Sequence, residues 1–399
     1  MIAQRMQDKS LAVSPIRRAS ETAIRLKEKY GEENVYDFTI GNPGELPPKE
    51  VNEAIRALLD EDQHLLHSYM QDAGFPEVRA DIATNMNKRF GLHLAERNIV
   101  MTVGAAGAMN IAMCALIDPG DEIIVMKPFY PGYTTFFSVW DAVKVEVDAV
   151  PETLQPNLDD LRAKISERTK MVIVNSPNNP SGAIYTQETA EGIAQILQEA
   201  QARYGHDIFL LSDEPYRELV YTNASLPVWM NVYENTLVAY SFSKSLSIPG
   251  DRIGYLAIPD ELHASETVIA AVRQALGMMG FVNAPAMFQR VVQRCLDCTI
   301  DMDYYRRNLN LLYDSLTSYG FSMVKPQGAF YLFIEAPEGD EAALMRAFED
   351  NRVVLVEGSA FGMPGYARLS FCISFETIER ALPSLKATAI QLGLYKQQA

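Results

Sequence analysis

The stretch "KMVIVNSPNNPSGAIYTQETAEGIAQILQEAQARYGHDIFLLSDEPY" occupies Lys170–Tyr216. It opens on a short apolar run and crosses a turn rich in Pro, Asn, Ser and Gly. A helical pattern follows, and a second apolar run closes it. Neither run alternates apolar with polar residues, so both faces of each strand are expected to be covered. A strand, a helical crossover and a second strand form the repeating unit of a parallel sheet. Working outward, "NIVMTV", "DEIIVM" and "VKVEVD" precede this unit from about residue 98, and "TLVAYS" follows it. The rhythm predicts an α/β fold with a parallel sheet between helical layers.

Beyond these limits the pattern changes. "SPIRRASETAIRLKEKYG" predicts a first helix, with Ser14 as N-cap, Pro15 in the first turn and Gly31 as the stop. "VYDFTIGNPGELPP" reads as a short strand entering a turn-rich loop, and "GFPEVRADIATNMNKRFG" as a helix ending at a glycine. After about residue 290 a long helical region leads to "GFSMVKPQGAFYLFIE", "RVVLVEG", "YARLSFCIS" and a last helix. That predicts a second, smaller α+β unit. The expected division is an N-terminal arm over 1–48, a large domain over 49–288 and a C-terminal small domain over 289–399.

The chain has 399 residues, 48% of them hydrophobic, which suits a large core or two. Its formal net charge of -16 disfavours nucleic acid and anionic membrane as partners. The N-terminus lacks the apolar run of a signal peptide, and no stretch approaches the ~20 apolar residues of a membrane span. Of four cysteines, Cys295 and Cys298 form a C-x-x-C in "RVVQRCLDCTID", a segment that reads as helical. No second pair completes a zinc site, and no metal is expected. Together these features point to a reduced, cytoplasmic compartment.

Ligands of open α/β sheets sit beyond the carboxyl ends of the strands. After "NIVMTV" comes Gly104-Ala105-Ala106-Gly107, opening a helix whose free N–H groups suit an anion. After "DIFLLS" comes Asp213-Glu214-Pro215-Tyr216, and after "TLVAYS" comes "FSKSLSIPGDRIGY" with Lys244. Ser241, Ser243 and Arg252 can add hydroxyls and a guanidinium to a phosphate site. Neither G-x-G-x-x-G nor G-x-x-x-x-G-K-[ST] appears, so the dinucleotide and P-loop readings fail. Lys244 then admits three readings. It is a solvated lysine, or the lysine of an S-x-x-K acyl-enzyme, or a Schiff-base lysine with Asp213 as acid partner. The acyl-enzyme also wants S-D-N and K-T-G, and the chain offers only "SDE". A Schiff-base lysine needs a carbonyl cofactor, a phosphate anchor and an acid for the ring nitrogen.

The set resembles the class I/II aminotransferases, pyridoxal-phosphate enzymes of fold type I similar to aspartate aminotransferase. The matching segments are "SYMQDAGFPEVR", "TVGAAGA", "DPGDEIIVMKPFYPGY", "NSPNNPSG", "SDEPYREL", "SFSKSLSIPGDRIGY" and "GYARLSF", in family order. The resemblance implies a mostly parallel seven-stranded sheet sandwiched by helices, with a small domain built from both chain ends. It implies pyridoxal 5'-phosphate as cofactor and an L-amino acid and a 2-oxo acid as substrates. Lys244 resembles the lysine that carries the cofactor as an aldimine and then moves the α-carbon proton. Asp213 resembles the carboxylate facing the pyridine nitrogen, Asn179 and Tyr216 the pair on the ring hydroxyl, and Tyr130 the stacking aromatic. Ala105, Ala106, Ser241, Ser243 and Arg252 resemble the phosphate cradle. Tyr69 resembles a tyrosine that reaches the neighbouring subunit's cofactor, which implies a homodimer with shared sites. Arg368, with Gly41 nearby, resembles the fork that grips the substrate α-carboxylate.

Two departures bear on the substrate. Some dicarboxylate-specific relatives carry a lysine where this chain has Ala106 and Gly107. "LGMMGFVNAP" (Leu276–Pro285) is more apolar than the serine-rich stretch often found there. Both point to a neutral or apolar amino donor, with Met278, Met279 and Phe281, on a candidate neighbour-subunit stretch, as apolar surface. A β-eliminating lyase on the same fold shares the motifs, and a non-catalytic cofactor-sensing regulator is the remaining alternative. The regulator usually adds a DNA-binding module, for which the chain has no room before residue 41.

Overall fold

The computed structural model describes Ile2, Met6 and residues 14–61 and 63–395. The expected N-terminal arm is therefore seen from Ser14, and its earlier part, Ile2 and Met6 apart, lies outside the described residues. Helix α1 (Pro15–Tyr30) begins as expected: the Ser14 side chain accepts from Arg17 N, Pro15 takes the first position, and Gly31 ends it at φ +88°. Helices α2 (Lys49–Leu59) and α3 (Pro76–Phe90) follow, and Gly91 closes α3 in the left-handed region.

Strand β1 (Ile99–Thr102) feeds helix α4 (Gly104–Leu116) through a single residue. Next come β2 (Glu122–Met126), β3 (Val143–Val147), β4 (Thr169–Asn175), helix α5 (Gln187–Tyr204), β5 (Phe209–Asp213) and β6 (Thr236–Ser241). A seventh strand, β7 (Gly254–Ala257), turns back, and helix α6 (Ser265–Met278) follows it. The sheet order is β1-β7-β6-β5-β4-β2-β3. All pairings are parallel except the two made by β7. Successive residues serve opposite layers, as the period of two requires. Ile123 and Val125 pack with α4 and α6, whereas Ile124 and Met126 pack with α5.

Helix α7 (Ala286–Arg294) lies where the expected boundary at 288/289 would cut. Its Val291 and Val292 pack with Val78, Ile82 and Met86 of α3. The C-x-x-C reading needs correction. Helix α7 stops at Arg294, and Cys295 and Cys298 sit on the turn beyond it, with Cys298 N donating to Cys295 O at 3.1 Å. The helical pattern ran on only because "CLDC" is itself compatible with a helix, and sequence periodicity cannot mark an end that has no glycine or proline.

The C-terminal unit sets helices α8 (Met302–Ser318) and α9 (Phe375–Gln391) on a small antiparallel sheet. Its strands are β8 (Tyr331–Glu335), β9 (Val356–Glu357) and β10 (Tyr366–Ser370), with β10 in the centre. The N-terminal segment joins this unit. Tyr36–Asp37 pairs in parallel with Val353–Val354, and Ala19, Ala23 and Leu26 of α1 pack with Val354 and Val356. No helix among the described residues is long and apolar enough to cross a membrane.

Candidate active site

A cleft of about 460 Å³ opens beyond the carboxyl ends of the parallel strands, and the C-terminal unit supplies one of its walls. Asp213 ends β5. Its backbone carbonyl accepts from Asn175 Nδ2 at 2.8 Å, which ties the strand end to β4. Its neighbour Glu214 points the other way, fixed by Ser212 Oγ at 2.7 Å and by the Arg217 guanidinium. Asp213 Oδ2 accepts from Tyr133 Oη at 2.6 Å. Its Oδ1 is buried and has no partner among the described residues. Burial raises the Asp213 pKa to about 7, against the Tyr133 hydrogen bond, which lowers it, and with a further push from Glu214. A carboxylate so placed needs a cationic or N–H partner from outside the chain.

Lys244 lies in the four-residue helical turn Phe242–Ser245 that follows β6, and its Nζ donates to Gly41 O at 2.7 Å. Burial draws its pKa down to about 8; Cys372 works against this, and Arg252 and Arg368 add to it. The amine is thus within reach of its neutral, nucleophilic form near neutral pH.

At the other end of the cleft, Ser241 Oγ and Ser243 Oγ are 2.7 Å apart, and Ser243 N donates to Ser241 Oγ at 3.2 Å. Arg252 Nη1 donates to Pro249 O at 2.9 Å and Nη2 to Val103 O at 3.3 Å. Gly104, at φ +79°, starts α4 beside this guanidinium, and a Cβ there would lie 3.1 Å from Arg252 Nη2. Ala105 and Ala106 line the same end. Hydroxyls, a guanidinium and a helix N-terminus make an anion site.

Arg368, on the central strand β10, is 2% exposed. Its Nη1 donates to Asn179 Oδ1 at 3.0 Å and its Nη2 to Thr39 O at 2.8 Å, while its Nε has no partner among the described residues. The guanidinium carbon stands 4.4 Å from the Tyr331 ring centroid and 4.9 Å from that of Phe361. Asn179 Nδ2 donates to Tyr216 Oη at 3.4 Å, and Tyr216 Oη lies 3.0 Å from Tyr331 Oη. Tyr130 lines the cleft edge-on to Tyr133, with ring centroids 5.5 Å apart.

Gly41, Ala105, Ala106, Tyr130, Asn179, Asp213, Tyr216, Ser241, Ser243, Lys244, Arg252 and Arg368 all line this cleft, whereas Tyr69, which is 91% exposed, and Phe281 lie on another surface with Met70. Met278 and Met279 line neither place, and Met278 is 69% exposed. The chain therefore does not bring the apolar stretch 276–285 to its own cleft. Sequence reasoning missed Tyr133, Asn175 and Tyr331. Tyr133 was visible three residues beyond Tyr130 in "KPFYPGY", on the helical turn that follows. Tyr331 carried no local signal, because its strand belongs to the other unit.

The sequence profile described as Aminotransferase class I and II matches residues 33–385. This chain belongs to the class I and II aminotransferases. It is 31% identical to the probable N-acetyl-LL-diaminopimelate aminotransferase of Bacillus subtilis, over 89% of each chain. It is 32% identical to the aspartate/prephenate aminotransferase of Thermus thermophilus, over 86% of this chain and 88% of the relative. A crystal structure of an amino transferase from Eubacterium rectale superposes with a TM-score of 0.94 at 39% identity, covering 97% of this chain and 98% of the other. The aminotransferase reading thus stands over the lyase. The chain is a pyridoxal-phosphate-dependent transferase that passes an amino group between an amino acid and a 2-oxo acid. The cleft fits that cofactor, since it offers an unsatisfied buried carboxylate at one end and an anion site at the other.

Proposed function

We propose that this aminotransferase works through Lys244, with Asp213, Asn179 and Tyr216 around the cofactor ring and Arg368 on the substrate carboxylate. The observation that carries the reading is the unpartnered Asp213 Oδ1, buried in the same cleft as a lysine whose pKa is drawn down to about 8. Bound there, pyridoxal phosphate supplies a sink for the electrons left when the substrate α-carbon loses its proton. Ser241, Ser243, Arg252 and the N–H groups of Ala105 and Ala106 would hold its phosphate. Asp213 would hold the ring nitrogen protonated, and Tyr133 keeps that carboxylate in place. Asn179 and Tyr216 would orient the ring hydroxyl, and Tyr130 would cover the ring face. Arg368 and the Gly41 backbone would fix the α-carboxylate, and a planar guanidinium matches a carboxylate in two bonds. Lys244 Nζ, freed from Gly41 O, would take the proton from the α-carbon and return it.

The same reading places Tyr69 on a neighbouring subunit's cofactor, which makes the active unit a homodimer. We also propose a cytoplasmic location, from an acidic chain with four unpaired cysteines. The division into 1–48, 49–288 and 289–399 is offered in the same spirit, as arm, large unit and small unit. The deciding experiment is Lys244→Ala. The variant is expected to bind the cofactor, to lose amino-group transfer by at least a thousandfold, and to lose borohydride-fixed cofactor from the chain. Continued fixation would give the role to another lysine.

A further inference from the structure

Resting on the aminotransferase reading above, we infer that the side-chain subsite takes an uncharged apolar amino acid, aliphatic or aromatic. Ile16, Ile40, Met109 and Phe136 form that subsite. All four line the cleft that holds Lys244 and Arg368. Ile40 stands next to Gly41 and is 44% exposed. Ile16 comes from the first turn of α1. Met109 lies one helical turn beyond Ala105 on α4, so the two share a face. Apolar surface left open in a cleft with a few convergent polar groups marks where the apolar part of a ligand sits. Met109 adds a flexible side chain that can follow different shapes.

Charge decides against the alternatives. The lysine and arginine side chains lining the cleft among the described residues are Lys244, Arg252 and Arg368. The first faces the reacting amine, the second the phosphate and the third the α-carboxylate, so a side-chain carboxylate finds no cation. A side-chain ammonium fares no better, because the one acidic side chain lining the cleft among the described residues is Asp213, which Tyr133 and, on the reading above, the cofactor ring take up. The surface around Tyr69 that a second copy would present is lined by His67, Ser68, Met70, Phe281 and Asn283 among others, with no lysine or arginine among the described residues that line it. An unpaired charge in such surroundings is strongly disfavoured.

The test uses the cofactor-loaded, full-length enzyme and one amino acid at a time. Conversion of the cofactor to its amine form is followed by absorbance, and second-order rate constants are compared for aspartate, glutamate, lysine, alanine, leucine, methionine and phenylalanine. Leucine, methionine or phenylalanine is expected to exceed aspartate, glutamate and lysine by tenfold or more. A lead for aspartate, glutamate or lysine, or parity with them, overturns the inference and leaves the aminotransferase reading standing. Conversion by none of the seven would count against both. Ile40→Lys and Met109→Lys should each move the aspartate-to-leucine ratio at least tenfold toward aspartate. Two loaded variants with unmoved ratios would remove these residues from the subsite. The wild-type series decides even where a variant fails to load cofactor.

Discussion

Asp213 keeps one carboxylate oxygen on Tyr133 and leaves the other without a partner, so its chemistry depends on what the cofactor brings. Asp213→Asn keeps the shape and removes the charge. We expect kcat to fall by about a hundredfold or more, in line with ~3 kcal/mol or more for a lost preorganised charge, with cofactor still bound. A kcat within a few-fold of wild type would take Asp213 out of the role. The same carboxyl sets a pH signature in the cofactor-free protein. Its pKa is raised by burial from 3.8 to about 7, so the fold favours the protonated form. Its contribution is fully present below the unfolded value and is lost as pH rises through about 7. The stability of the cofactor-free wild type, measured by denaturant relative to Asp213→Asn, should therefore decline between about pH 4 and 7 and level off above that. A flat difference would mean that the carboxyl is ionised throughout. Lys244 and Asp213 were legible in the sequence because each ends or follows a strand within a distinctive local run, whereas Asn179 and Arg368 were reached only through the family resemblance. Tyr331 was not, because its place on Tyr216 Oη depends on how two units of the chain meet.

Strand β7 backs the anion end of the cleft through its first residue, which packs against Gly104. Gly254 pairs with Ser241, and a Cβ on it would lie 2.2 Å from Tyr240 O and 2.9 Å from Gly104 Cα. Both contacts are backbone, so nothing flexible can yield. Gly254→Ala should cost ~1–3 kcal/mol as overpacking, and it should weaken cofactor binding more than a core change of equal cost, because Gly104 opens α4. Cofactor titration against thermal melting separates the two effects, and equal losses would show no special link to the phosphate turn. At this scale six strands were readable as apolar runs. The seventh was implied only by family resemblance, since "GYLA" is too short to separate from its loop. The end of α7 went unread for a similar reason: its closing turn carries no glycine or proline.

At the scale of the molecule, the cleft draws on both units, and the proposed dimer adds Tyr69 from a second copy. Mixing Lys244→Ala chains with Tyr69→Phe chains should give hybrids with one doubly altered site and one intact site. Activity should recover after subunit exchange. Proven exchange without recovery would mean that each chain completes its own site.

The pairing of Tyr36–Asp37 with Val353–Val354 also has a consequence in time. A ribosome delivers the first partner more than three hundred residues before the second. At ~5–20 residues per second this leaves the N-terminal segment waiting on the order of half a minute. During that interval the apolar face of α1, with Ala19, Ala23 and Leu26, has no Val354 or Val356 to cover it. Arg368 and Thr39 likewise meet only after the end of β10 has emerged. The large sheet can form as the chain lengthens, but the substrate-gripping wall must be assembled last. A nascent chain stalled before Val353 should therefore resist protease across residues 99–257 while remaining cleavable within 15–40.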